Sequence, residues 1–94
     1  MRLDQPARER FVADHPGWVL DGETISRTYE FTDFPRAIAF VTHAAFAAEA
    51  ADHHPDIDIR WNKVTMTLST HSEGALTDKD TALAAVFDEL ATVN

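Results

Sequence analysis

A long alanine-rich helix bracketed by stretches of period two constrains this chain more than any other feature. The helix should start at Thr32-Asp33, both competent N-caps, with Pro35 tolerated in the first turn, and run to about Ala51. Phe34, Ile38, Val41 and Ala45 are spaced to share a face, and Ala37, Phe40, Ala44 and Ala48 widen it. So much alanine lets the helix approach another backbone closely, which suits packing against a sheet or a subunit partner.

On the N-terminal side, Ala7 to Ala13 reads as a short helix stopped by His15-Pro16-Gly17. Trp18-Val19-Leu20, then Asp21-Gly22, then an alternating run from Ile25 to Phe31 predicts a hairpin, because Asp-Gly tolerates positive φ. Arg27 interrupts the row Ile25, Tyr29, Phe31, and an edge position would explain it. On the C-terminal side, Ile57, Ile59 and Trp61 alternate with Asp58 and Arg60, and Asn62-Lys63 offers a tight turn. Val64, Met66 and Leu68 then fall on one face, with Thr65, Thr67, Ser69 and His71 on the other. After Ser72 to Ala75 a last helix carries Leu83, Val86, Phe87 and Leu90 at helical spacing. The order helix-strand-strand-helix-strand-strand-helix predicts an α+β fold in two layers, a four-stranded antiparallel sheet with helices packed on one face.

At 94 residues, 45% of them hydrophobic, residues 1–94 should form one packed domain. The absence of cysteine removes disulfides, thiolate metal sites and a cysteine nucleophile, and is compatible with a cytoplasmic location. No long apolar run exists, so neither a membrane span nor a membrane partner is expected. Sixteen acids against eight bases give a net charge of −8, and the cations form no stripe, which disfavours direct nucleic-acid binding. With three glycines there is no phosphate-cradling loop, and no Gly-x-Ser-x-Gly elbow appears.

Four features carry chemistry: Glu49, the run Asp52-His53-His54-Pro55, His71, and Asp80. Each also has a plain structural reading. His53 and His54 follow a helix end, where imidazoles can satisfy the last carbonyls and favour the dipole. His71 ends a strand on its polar face. Thr77-x-x-Asp80 is a capping-box pattern, and Glu49 in a helix is by default a solvated charge. In a loop, however, adjacent histidines can approach one pocket, and the extended preference before Pro55 favours a loop at His54. Adjacent histidines lack the spacing by which two ligands on one element converge, so no metal site is expected. His15 and His43 have no evident partners.

The stretch Glu49-Ala50-Ala51-Asp52-His53-His54-Pro55, followed by Trp61-Asn62-Lys63-Val64, resembles the signature of the pterin-4a-carbinolamine dehydratases. Leu68-Ser69-Thr70-His71, Gly74-Ala75-Leu76-Thr77 and Asp80 fit the same family in order and spacing, as do Gly17-Trp18 and Asp33-Phe34-x-x-Ala37. The resemblance runs from about Trp18 to Leu90. It implies dehydration of 4a-hydroxytetrahydrobiopterin, the carbinolamine left by aromatic amino acid hydroxylases, to quinonoid dihydropterin, with no cofactor and no metal. It also implies catalysis by His53, His54 and His71, and substrate binding by Glu49, Asp52, Pro55, Ser69, Thr70 and Ser72. Dimers or tetramers joined by sheet edges and helices are implied as well. Trp61 stands where the family often has tyrosine, and a packing role is expected of it. Asp80 matches a family residue, with capping as the safer reading.

The chemistry suits these residue types. Expelling the 4a-hydroxyl needs a proton delivered to oxygen and another removed from N5, and imidazole serves both purposes near neutrality. Neighbouring carboxylates would hold the tautomers. Two readings compete with catalysis: a non-catalytic binding or dimerisation module, since some members of the family partner transcription factors, and an accessory domain for another pterin-type cofactor.

Overall fold

A computed structural model describes residues 1–94. Three helices, α1 (Gln5–Asp14), α2 (Phe34–Ala51) and α3 (Asp78–Ala91), alternate with the strand pairs β1 (Val19–Asp21), β2 (Thr24–Glu30) and β3 (Asp56–Arg60), β4 (Lys63–Leu68). The strands form one antiparallel sheet in the order β1-β2-β4-β3. The expected order and class are those observed. No helix is long and apolar enough to cross a membrane.

Helix starts follow from side-chain chemistry. Asp4, Asp33 and Thr77 each cap a helix with an extended backbone and an accepting side-chain oxygen, and proline occupies the first turn of α1 and α2. The core forms where Ile25 and Tyr29 of β2 and Val64, Met66 and Leu68 of β4 meet Phe40 and Ala44 of α2 and Leu83 and Phe87 of α3.

Both hairpin turns sit one residue away from expectation. Asp21 pairs with Thr24, so the first turn is Gly22-Glu23, with Gly22 supplying the positive φ of 59°. Arg60 pairs with Lys63, so the second turn is Trp61-Asn62, and Trp61 takes a φ of 53°. Left-handed backbone is costly for a bulky residue, and the ring recovers little by packing, because Trp61 is 68% exposed. Its expected packing role is therefore not met within the chain.

Arg27 is explained otherwise than by an outer strand. β2 is an inner strand, but β1 covers only its Thr24–Ser26 part, so Arg27 has a strand neighbour on one side alone. Its guanidinium lies over the Tyr29 ring, 4.8 Å from the centroid, and pairs with Asp88 at 3.0 Å. Gly17 lets this happen: a Cβ there would meet the guanidinium carbon at 2.8 Å, and its φ is +109°. Asp88 also accepts from the Trp18 indole N–H at 3.0 Å and the Tyr29 hydroxyl at 2.5 Å. His15, which stacks on Phe11, lies 3.5 Å from Asp88, and His43 is bonded to Asn94, so neither histidine is idle.

At the other end of the sheet, Glu23 joins the first hairpin to α1 and to the approach to α3. Arg8 donates to it at 2.7 Å and the Leu76 amide at 3.1 Å. The hydrogen bond from Arg8, then that from Leu76, with the charge of Arg2 nearby, lowers its carboxyl to about 2.

The apolar face of α2 differs from the expectation. Ala37, Phe40, Ala44 and Ala48 are buried, whereas Phe34 and Ala45 are exposed, Ile38 largely so, and Val41 only partly covered. Ile57 and Ile59 of β3 pair with Met66 and Val64 and so face the helix layer, yet both stay more than a third exposed. Every residue of β3 is exposed, and its outer edge has no strand partner.

Candidate active site

The C-terminus of α2 aims the histidine pair. Asp52 adopts a left-handed conformation (φ 50°, ψ 45°), and the His53 amide reaches back to the Ala48 carbonyl at 3.0 Å. This ending reverses the chain and drives His53 inward, while His54 stays at the surface. His53 is 8% exposed. Across from it, β4 ends at Leu68, and Thr70 bridges to Ala75, closing a loop that carries His71, Ser72 and Gly74. Gly74 turns that loop with a φ of 60°.

These segments enclose a cavity of about 300 Å³ lined by Asp52, His53, His54, Ser69, Thr70, His71, Ser72 and Lys79. The three histidines converge, as do four of the six expected binding residues: Asp52, Ser69, Thr70 and Ser72. Glu49 stands behind His54, its Oε1 2.8 Å from Nε2, with both side chains well exposed. Pro55 fixes the loop without lining the cavity. Trp61 is remote from it, at the far end of β4. Six strand residues at roughly 3.3 Å each put on the order of 20 Å between them.

Two hydroxyls expected to bind substrate are committed elsewhere. Ser69 donates to the Glu23 carbonyl at 2.7 Å, and Thr70 donates to Asp80 Oδ2 at 2.9 Å. The Thr70 amide and carbonyl are also taken, by Ala75 and Glu73, so of these two positions only Ser69 keeps groups free for a ligand. Lys79 was not among the expected residues. Its place in the first turn of α3, beside the capping box, gave no sign that it faces the histidines.

Asp80 does more than cap α3. It is fully buried, and Oδ2 accepts from the Thr77 amide at 3.0 Å as the capping box requires. Its other oxygen, Oδ1, lies 2.5 Å from His53 Nε2. The proton positions follow by elimination. A carboxylate only accepts, so His53 must carry its proton on Nε2. Thr70 gives its proton to Asp80, so the Thr77 hydroxyl, 2.7 Å away, donates to Thr70. With a single ring proton, on Nε2, His53 keeps a lone pair on Nδ1, which makes no hydrogen bond within the chain. His53 lines one cavity with two surface histidines, and such a set can take one proton from a ligand while giving another. No group of three or more histidine, aspartate or glutamate side chains is arranged to hold a metal ion.

Comparison with known proteins gives the family. The profile described as pterin 4 alpha carbinolamine dehydratase matches residues 1–90. A Chloroflexus aurantiacus protein provisionally named pterin-4-alpha-carbinolamine dehydratase is 54% identical over 89 residues, covering 95% of this chain and 96% of its own. The crystal structure of a transcriptional coactivator/pterin dehydratase from Brucella melitensis superposes with a TM-score of 0.91 at 35% identity, covering 97% of this chain and 99% of that one. A pterin dehydratase-like protein identified as a RuBisCO assembly factor in the alpha-carboxysome superposes with a TM-score of 0.70 at 26% identity, covering 82% and 92%. The chain belongs to the pterin 4 alpha carbinolamine dehydratase family.

Proposed function

We propose that this chain dehydrates a pterin-4a-carbinolamine to the quinonoid dihydropterin, with His53 as the base. The observation that carries the reading is the buried Asp80–His53 pair, which leaves an unpartnered Nδ1 at a cavity shared with His54 and His71. In the reaction the C4a–O bond breaks, the C4a=N5 double bond forms, and water leaves. His53 Nδ1 takes the proton from N5. His54 or His71, both open to solvent and able to recharge from it, gives a proton to the departing hydroxyl. Glu49 orients His54 by accepting from its Nε2. Acid–base assistance of this kind is worth about 10²–10⁴-fold.

Freshly generated carbinolamine followed by ultraviolet absorbance tests this. The wild type should accelerate its decay, and His53→Ala and His71→Ala, folded by circular dichroism, should lose most of the acceleration. The second reading, a binding or assembly module without catalysis, draws on the neighbour described as a RuBisCO assembly factor. A folded wild type that leaves the spontaneous rate untouched would decide for that module.

We also propose self-association through β3. Its unpaired outer edge and the partly exposed Ile57 and Ile59 favour strand addition by a second copy. Sedimentation velocity should show a dimer or larger, reduced to monomer by Ile59→Lys. A wild type that sediments as a monomer at 100 µM sinks the idea.

A further inference from the structure

Trp61 combines two costs, left-handed backbone at a φ of 53° and an indole that is 68% exposed. Strained backbone clusters at functional sites, yet the histidine cavity of its own chain lies at the other end of β4. That cavity in turn lacks something. None of its eight lining residues is hydrophobic, so a flat bicyclic ring would find hydrogen-bonding groups there but no apolar face to stack on. A broad side chain that no neighbour covers and a cavity without an apolar wall fit together only if the wall comes from a second copy.

The edge of β3 sets where a second copy sits. The two-residue turn Trp61-Asn62 makes Arg60 and Lys63 a hydrogen-bonded pair, and such pairs alternate along an antiparallel ladder. Asp56, Asp58 and Arg60 therefore bond to β4, and Ile57 and Ile59 turn their N–H and C=O groups to the free edge. Two copies related by a two-fold axis can then pair Ile57 with Ile59 in both directions. This register aligns all five residues of each strand and leaves no edge group unpaired. Pairing Ile57 with itself sets Ile59 opposite Pro55, which has no N–H to give. Pairing Ile59 with itself sets Ile57 opposite Trp61, outside the strand. In the favoured register Arg60 faces Asp56 of the second copy, an opposite-charge pair on either side of the axis. Asp58, held by Arg60 at 3.2 Å, meets its own copy on the axis. Trp61 then faces Pro55 of the second copy, next in sequence to His54, with about 5 Å between the backbones.

We propose that Trp61 completes the histidine cavity of the second copy, laying its indole against the face of the pterin ring. This sharing rests on the dehydratase reading and on self-association through β3, and adds that each site is built by two chains.

Trp61→Gly tests it, because glycine takes left-handed backbone without strain and the variant should fold and dimerise as the wild type does. Its kcat/KM for the carbinolamine should nevertheless fall by about 10-fold or more, the value of one aromatic stack on a flat heterocycle. Trp61→Phe, which restores a ring, should keep most of the rate. Co-expression of Trp61→Gly with His53→Ala then assigns the chain. If the indole crosses the axis, one site of each heterodimer has both His53 and Trp61; if it does not, neither site has both. A statistical mixture should therefore recover about one quarter of the wild-type rate, well above the mean of its two parents. A Trp61→Gly dimer within about two-fold of wild type, or a mixture no better than the mean of its parents, overturns the shared site and leaves the dehydratase and dimer readings standing. A wild type that is active as a monomer removes the dimer reading, and the shared site with it. A wild type that dimerises but accelerates nothing removes the dehydratase reading, and the shared site likewise.

Discussion

Asp80→Asn should leave this chain folded and nearly inactive, with kcat/KM for carbinolamine dehydration down by about 10²–10⁴-fold. The reason is a count of donors. Two donors, the Thr77 amide and the Thr70 hydroxyl, converge on Oδ2, and His53 Nε2 faces Oδ1. An asparagine must turn its carbonyl to the two donors, which preserves the helix cap and presents its NH₂ to His53. Nε2 then has to accept, the ring proton moves to Nδ1, and the lone pair that should take the N5 proton is gone. A merely structural role for Asp80 would appear as a lowered melting temperature with activity intact at low temperature. A positioning role appears as lost turnover with the ligand still bound, and as a changed tautomer in the ¹⁵N spectrum of His53. An Asp80→Asn variant within three-fold of the wild-type rate would end this account of the base.

What the sequence disclosed and what it hid divide along physical lines. Helix starts at Asp33 and Thr77 were legible because capping is local: a side chain and an amide two or three residues on. The α2 face was not, because a helical wheel gives period without saying which flank is covered. Phe34 and Ile38 obey the same spacing as Phe40 and Ala44, yet they stay exposed. Both hairpins slipped by one residue for a related reason. Turn chemistry marks a neighbourhood, whereas register is fixed by the pairing of Ile57 and Ile59 with Met66 and Val64, which pushes Trp61 into left-handed backbone. At the site the histidines were legible by type and clustering. The double duty of Asp80 was not, since its capping pattern already accounted for it and its second partner lies 27 residues away.

Asp88→Ala should produce the opposite phenotype, a chain that still turns over in the cold but melts early. Asp88 and Asp80 are eight residues apart on α3, about 12 Å along the axis, so the histidine cavity should not feel the change directly. The fold should. Asp88 gathers the Trp18 indole at 3.0 Å, the Tyr29 hydroxyl at 2.5 Å and Arg27 at 3.0 Å, tying the start of the sheet and β2 to the last turns of α3. Trp18 and Tyr29 are each about 95% buried. Burial first, and then the bond to Asp88, holds the Tyr29 hydroxyl well above the ordinary tyrosine range, so it remains a donor at any accessible pH. Removing the carboxylate strands two buried donors at about 1–3 kcal/mol each, while Arg27 can turn to water. A loss of roughly 2–6 kcal/mol is a large part of the stability of a domain this size. It corresponds to a melting temperature lower by roughly 10–45 °C in a calorimetric scan. Adding Tyr29→Phe removes one stranded donor, so the double variant should recover part of the loss, a coupling that independent sites would not show. An Asp88→Ala variant that melts within a few degrees of wild type would mean that water replaces the carboxylate at no cost, and that hydrophobic packing alone holds α3 to the sheet.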